Sequence, residues 1–366
     1  LAMGERDDLR SANLVGTAIW VFASMAIVLT AILLFTAPTL AVMLNTPEVA
    51  FDKTVQYILI CGAGTVFVVA FNVMSGIFCG LGDSKAPLIF VGIACMVNIL
   101  GDFVLIQTCK LGAMGAAIAT IAAQAVSVVF SLFMIRHRLP FSFSKENLRF
   151  DGQLARAIVK LGAPIALLRM CNEVSYLVIM GLVNRLGVVA SSGVGIAEKL
   201  VMFIVLIPTA YMSAISAFVA QNIGAGQFDR AKKSLWVGMA TAMAIGGVTA
   251  YLSFFHGDVL SRLFIDDPAV IRASSEFLKA TSVECFILSI AYSFNGYFNG
   301  IQKTAFVMLQ GLGAIFLVRI PYAYFASTRP DPALFDIGLS ATFAAVFMLI
   351  AAAGYYIMRS KKKGLE

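Results

Sequence analysis

The sequence predicts an all-α polytopic membrane protein of two pseudo-symmetric helical lobes, with ten membrane-crossing helices divided four plus six. Three observations carry this expectation. Of 366 residues, 60% are hydrophobic and only 13% charged, against roughly 45–50% and about 25% in an ordinary soluble domain, which excludes a water-soluble enzyme. The apolar residues gather in runs of about 20 or more, enough to cross a hydrocarbon core about 30 Å thick. The ten-residue alternating segments of an outer-membrane barrel do not occur, so helices remain as the structure that satisfies its own backbone in lipid. The third observation is an internal repeat, described after the spans.

Breaking the apolar runs at Gly, Pro and charge clusters places the spans in order. The first, 13–36, follows MGERDDLR and stops before LNTPEV (44–49). The second, 54–78, runs into GIFCGLGDSKAP (76–87), and the third, 86–107, lies between Lys85 and Lys110. The fourth, 112–135, ends at Arg136. The longest polar gap follows, RHRLPFSFSKENLRFDGQLAR (136–156), and divides a first lobe (1–135) from a second (157–366). The second lobe holds spans at 157–183, 190–217, 234–255, 274–297, 304–325 and 335–358. Their separators include IGAGQFDRAKKS, FIDDPAV (264–270), GYFNGIQKTAF (296–306) and the terminal Arg359 to Lys363.

Lys and Arg accumulate in cytoplasmic loops. One set of alternating loops carries seventeen of them and the other seven, Lys53, Lys110, Arg185, Arg262, Arg272, Lys279 and Arg329. Both termini and the 136–156 linker are therefore expected on the cytoplasmic side of a plasma membrane. The net charge of +7 has the same origin, because no basic stripe with interleaved aromatics marks a nucleic-acid partner. Cys61, Cys79, Cys95, Cys109, Cys171 and Cys285 include no CxxC pair and no neighbouring His, so they read as small buried hydrophobes.

Two copies of a helical unit are a common transporter plan. The stretch beginning at Met3 matches that beginning at Ile223, with Gly4 over Gly224 and Arg10 over Arg230. LNTPEV lies over FIDDPAV and GIFCGLGDSKAP over GYFNGIQKTAF, at an offset that stays near 220 residues. The second copy has six spans where the first has four. The chain, which starts at Leu1 with neither a signal nor a targeting sequence, is accordingly expected to be a fragment lacking two spans.

Acidic side chains within spans are costly and mark ion or substrate pathways by default. Asp102 in NILGDFVLI follows Asn98 by one helical turn on the same face, so a carboxylate and a carboxamide converge on one cation. Thr120 lies in the next span, in GAAIATIAAQ, whose small residues permit close helix approach. An interfacial Asp held by backbone amides is the alternative for Asp102. Glu173 sits mid-span nine residues after Pro164, with Asn172 and Arg169 beside it; an Arg169–Glu173 pair at i, i+4 would neutralise both without a transport role. Glu284 faces either the same cavity or a helix interface. Arg319, before Pro321, either snorkels or pairs with Glu284 or Glu173. Glu198 and Lys199 point about 100° apart, one expected toward the cavity and the other toward an interface.

The sixteen Met, ten Tyr and twenty-nine Phe suit a plastic cavity for bulky organic cations, although most are expected to face lipid or pack. His137 and His256 fall in loops. No Walker loop, HExxH or mid-membrane Ser/His constellation occurs, so neither an ATP-driven pump nor an intramembrane hydrolase is expected of this chain.

The pieces GLGDSKAPLIF, VNILGDFVLI and LGAMGAAIAT in the first lobe, with LGAPIALL, FVAQNIGAGQFDRAKKS and RIPYAY in the second, resemble the multidrug and toxic compound extrusion (MATE) family in order and spacing. The resemblance implies twelve spans in two six-helix lobes around a cavity that alternates between the two sides of the membrane. This chain departs from that pattern by two spans, the first of which usually supplies an Asp to the first-lobe ion site. Asp102, Asn98 and Thr120 match that site in type and spacing, and Glu173 matches the second-lobe carboxylate. Glu284 matches less well, since some members carry the acid one turn later, at Leu288. The implied function is efflux of cationic or amphipathic organic compounds in exchange for Na⁺ or H⁺, with no cofactor and a monomeric protein in the bilayer. Asp, Asn and Thr suit Na⁺, while a lone buried Glu suits a proton. The alternatives are a lipid-linked saccharide flippase of the same superfamily, which usually carries cationic cavity residues, and a non-transporting remnant or assembly subunit.

Overall fold

A computed structural model describes residues 2, 5, 7–43, 48–83, 85–138 and 145–363. Gly4 of the repeat, the LNTP of LNTPEV and 139–144 of the expected linker lie outside the described residues. The helices, in chain order, are α1 (Asp8–Met43), α2 (Glu48–Ala63), α3 (Thr65–Leu81), α4 (Lys85–Asp102), α5 (Gly112–Arg138), α6 (Gly152–Asn184), α7 (Val188–Gly224), α8 (Phe228–Phe255), α9 (Gly257–Arg262), α10 (Pro268–Gly300), α11 (Thr304–Gly313), α12 (Ile320–Ser327) and α13 (Leu334–Lys363). Two π-helical stretches, Phe103–Thr108 after α4 and Ala314–Arg319 between α11 and α12, continue their spans. Among the described residues nine helical crossings are long and apolar enough to span a membrane, or ten if the bent pair α2–α3 is one span.

Aspartates set several helix starts. The Asp7, Asp83, Asp151 and Asp267 carboxylates accept hydrogen bonds from amides in the first turns of α1, α4, α6 and α10, at 2.8–3.4 Å. Each covers N–H groups that the helix leaves open, and its charge suits the positive end of the helix dipole. Pro268 follows Asp267 at the first turn, where its missing N–H costs nothing. Pro38, Pro164 and Pro208 lie inside helices, a placement that membrane helices tolerate.

The crossing expected at 54–78 is two helices meeting at 47° around Gly64. A Cβ at Gly64 would stand 2.3 Å from Ile121 of α5, so the bend lets Ile121 pack against bare backbone. In the second half, α10 covers the equivalent 33 residues without a break.

The chain forms two compact units, Ala2–Ile158 and Val159–Glu366. In the first, α4 and α5 meet at Gly101, where a Cβ would be 2.9 Å from that of Ala119. The short helical turn Lys145–Leu148 is strapped onto α1. Trp20 Nε1 donates to the Leu148 carbonyl at 2.7 Å, and Asn147 Nδ2 to Asn13 Oδ1 at 3.0 Å. A Cβ at Gly16 would lie 1.8 Å from the Asn147 carbonyl oxygen. Gly16→Ala is therefore expected to detach the strap, accelerating limited proteolysis at Lys145–Arg149 by about tenfold or more, since 1.4 kcal/mol of lost docking already gives that factor. Unchanged cleavage would contradict the docking.

In the second unit α10 is the central helix, packed by α7, α8, α9, α11 and α13. Val183, Val194, Leu278 and Ile337 are fully buried in one core, and Leu235 and Phe298 in another. An aromatic group of Trp236, Phe294, Phe298, Phe306, Tyr355 and Tyr356 joins α8, α10, α11 and α13 through edge and stacked contacts. The cysteines depart from expectation. Only Cys285 is buried, and Cys79, Cys95 and Cys109 face outward. An outward face turned to lipid is itself apolar, so a thiol has no need of the interior there.

Candidate functional site

In the first unit, Asp102 closes α4 where the π-helical stretch begins. One Asp102 oxygen, Oδ1, is buried and accepts no hydrogen bond. One turn earlier, Asn98 Nδ2 donates to Thr120 Oγ1 at 3.3 Å, while the Thr120 hydroxyl donates to the Ala116 carbonyl at 2.9 Å. Thr120 thus fixes the Asn98 amide with its nitrogen toward α5 and keeps a lone pair of its own. The close approach at Gly101 and Ala119 puts these groups within reach of one another. A buried carboxylate oxygen without a donor is costly unless a cation or proton meets it. One carboxylate with amide and hydroxyl oxygens is a hard-oxygen set suited to Na⁺. Among the described residues no group of three His, Cys, Asp or Glu forms a site for a transition metal.

In the second unit, α6, α7, α10, α11, α13 and the π-helical stretch line an open-sided cavity of about 800 Å³. Glu173, Glu284, Arg169 and Asn172 all line it, as do Glu198, Lys199 and Arg319. The sequence places one of Glu198 and Lys199 at an interface; instead both reach the cavity, which is wide enough to receive side chains about 100° apart. The alternative Arg169–Glu173 pair does not form, nor does a pair between Arg319 and Glu284 or Glu173. None of these six charges has a partner within 4.0 Å, and pairs such as Arg10–Glu5 and Arg329–Asp336 lie elsewhere. Arg319 ends the π-helical stretch, and its Nε is buried with no acceptor. A π-helical turn adds a residue to the helix, a feature frequent at functional sites. Three carboxylates and three basic side chains thus line this one space.

Sequence reasoning missed the carboxamides. Asn295, 3% exposed, lines the cavity with Asn299, and Gln310, 5% exposed, stands behind Asn295. Gln310 Nε2 donates to Asn295 Oδ1, whereas Gln310 Oε1 and Asn299 Oδ1 are buried without a donor. The available signal was the stripe Glu284, Leu288, Tyr292, Asn295 and Asn299, which recurs at three- and four-residue steps along α10. Asn172 spends an amide hydrogen on the Leu168 carbonyl at 3.1 Å. The apolar lining includes Met202, Met212, Met308 and Met348 but neither Phe nor Trp. The aromatics expected of such a cavity pack instead in the core beside it, apart from Tyr176 and Tyr292. Tyr251 packs edge-on against His256 at a helix junction; the His137 side chain lies outside the described residues.

Comparison with known proteins adds an independent line. The family model described as MatE matches residues 2–104 and 164–325. Over 354 residues the chain is 27% identical to the probable multidrug resistance protein YpnP of Bacillus subtilis (strain 168), an alignment covering 96% of this chain and 78% of that protein. The fold matches a crystal structure of MATE in complex with MaL6 at a TM-score of 0.91 and 16% identity, over 100% of this chain and 82% of the other. It also matches a MOP superfamily transporter from Pyrococcus furiosus, described as having a binding pocket of reverse polarity, at 0.88 and 16% identity over 99% of this chain and 80% of that one.

Proposed function

The chain belongs to the MatE family, and on that premise we propose that it is a secondary active exporter of cationic or amphipathic organic compounds, driven by inward movement of Na⁺ or H⁺. The observation that carries the reading is the two groups of carboxylates within membrane-spanning helices: Asp102 with its undonated oxygen, and Glu173, Glu198 and Glu284 around the second unit's cavity. Carboxylates within membrane spans mark ion or substrate pathways by default. Cargo and coupling ion then compete, the ion neutralising charges that held the cargo. Asp102, Asn98 and Thr120 are assigned to the coupling ion, and Glu173 with Asn172 and Glu284 to cargo or proton. Lys and Arg placement supports a plasma-membrane protein with both termini cytoplasmic. Alternating access would come from rocking of the family's two lobes, and a monomer with no cofactor suffices for it.

Each elementary charge moved down a 100 mV potential supplies about 2.3 kcal/mol, or roughly a 50-fold concentration ratio. Glu173→Gln is therefore expected to reach the membrane at normal levels yet lose resistance to a toxic organic cation in an otherwise efflux-deficient host. Normal resistance in that variant would overturn the assignment. The flippase alternative draws on Arg169, Lys199 and Arg319, but three carboxylates in the same cavity disfavour a pyrophosphate.

A further inference from the structure

We propose that the cavity of the second unit takes cargo bearing an oxyanion together with a cationic group, with Arg319 holding the oxyanion. The inference rests on the exporter reading and narrows its substrate class. Three basic and three acidic side chains share a space of about 800 Å³. No two of them are paired within 4.0 Å, so all six remain available to a guest.

Arg319 is the most telling of the six. A guanidinium presents five N–H donors in a planar fork matched to carboxylate or phosphate. Here the Nε–H is closed off from solvent and meets no acceptor. A buried charged donor without an acceptor is unfavourable until one arrives. Cargo with cationic groups only would satisfy Glu173, Glu198 and Glu284 but leave Arg319 as it stands. A guest with both charges satisfies both sets, and Arg169 on α6 and Lys199 on α7 add positive potential around its oxyanion. The undonated oxygen of Asn299 in the same cavity is ready for an N–H or O–H group on such a guest.

Rhodamine B and its ethyl ester test this directly, since they share one cationic chromophore and differ in whether the carboxylate is free. Binding to the purified full chain in detergent would be followed by fluorescence polarisation against empty micelles. The free acid is expected to bind about tenfold more tightly than the ester, the scale of one charge-assisted, two-point contact. In Arg319→Gln the free acid should lose its advantage, so that the two dyes converge. Equal affinities in the unmodified protein would overturn the proposal, as would an equal loss for both dyes in Arg319→Gln. Should that variant fail to fold, Arg319→Lys keeps the charge without the fork; a reduced preference supports the assignment and an undiminished one overturns it. Because the readout is equilibrium binding, a retained preference without efflux would sink the exporter reading alone. Lost preference with intact, Glu173-dependent efflux would sink only this narrower one.

Discussion

Asp102→Asn is expected to abolish ion-driven export while leaving the chain folded and inserted. The substitution is nearly isosteric, and it replaces a buried oxygen that accepts nothing with a neutral amide that has no attraction for a cation. Removing an unpartnered charge from apolar surroundings relieves a desolvation cost, so stability in ion-free buffer should hold or rise. Transport should fall by about 50-fold or more, the ratio that one coupled charge sustains at 100 mV. Thermal stability compared with and without Na⁺ reads the same site independently. If Na⁺ is the coupling ion, it should raise the melting midpoint of the unmodified protein and leave that of Asp102→Asn unmoved, because a ligand stabilises only the state that binds it. Loss of folding in Asp102→Asn, with export undiminished in the residual folded protein, would make Asp102 a structural residue.

The largest effect on stability should come from Gly296→Leu. A Cβ at Gly296 would stand 2.6 Å from the Met212 carbonyl oxygen and 3.1 Å from the Ile215 Cβ, so α7 and α10 would have to separate. Overpacking against backbone costs about 1–3 kcal/mol or more. Met212 on α7 and Asn295 on α10 also line the cavity, so its shape would change as well. A sharply lowered melting midpoint in detergent and weakened dye binding are the expected results. Gly181→Ala on α6, where an added Cβ meets nothing within 4 Å, is the control and should hold or gain up to about 1 kcal/mol. Similar losses in both variants would contradict the central packing of α10.

The contrast between these glycines indicates what a sequence can and cannot carry. Ten crossings were legible because the cost of exposing backbone to lipid forces long apolar runs, which leave an unmistakable pattern. The bend at Gly64 was not, because it depends on Ile121, a residue 57 positions later, filling the space where a Cβ would be. Glu173 and Asp102 stood out because a carboxylate in an apolar run is rare. Asn295, Asn299 and Gln310 did not, because a carboxamide is cheaper to bury and blends into a helix that also carries Ser and Thr.

Arg169, Lys199 and Arg319 were recoverable by subtraction. Of 27 Lys and Arg, 24 fall in the two sets of loops, and the three left over all line the cavity. The sequence left Arg169 and Arg319 open between an ion pair and another role, and Lys199 open between the cavity and an interface. Whether two side chains meet depends on helix rotation and rotamers, which i, i+4 spacing alone does not determine.

Ion-coupled export itself is tested most directly by reconstituting the chain in liposomes and imposing, in turn, an inward Na⁺ gradient and an inward proton gradient, with a fluorescent organic cation on the inside. One of the two gradients should drive the dye out against its own concentration gradient, and collapsing that gradient with an ionophore should stop it. Dye that only equilibrates, at a rate indifferent to both gradients, would contradict the account.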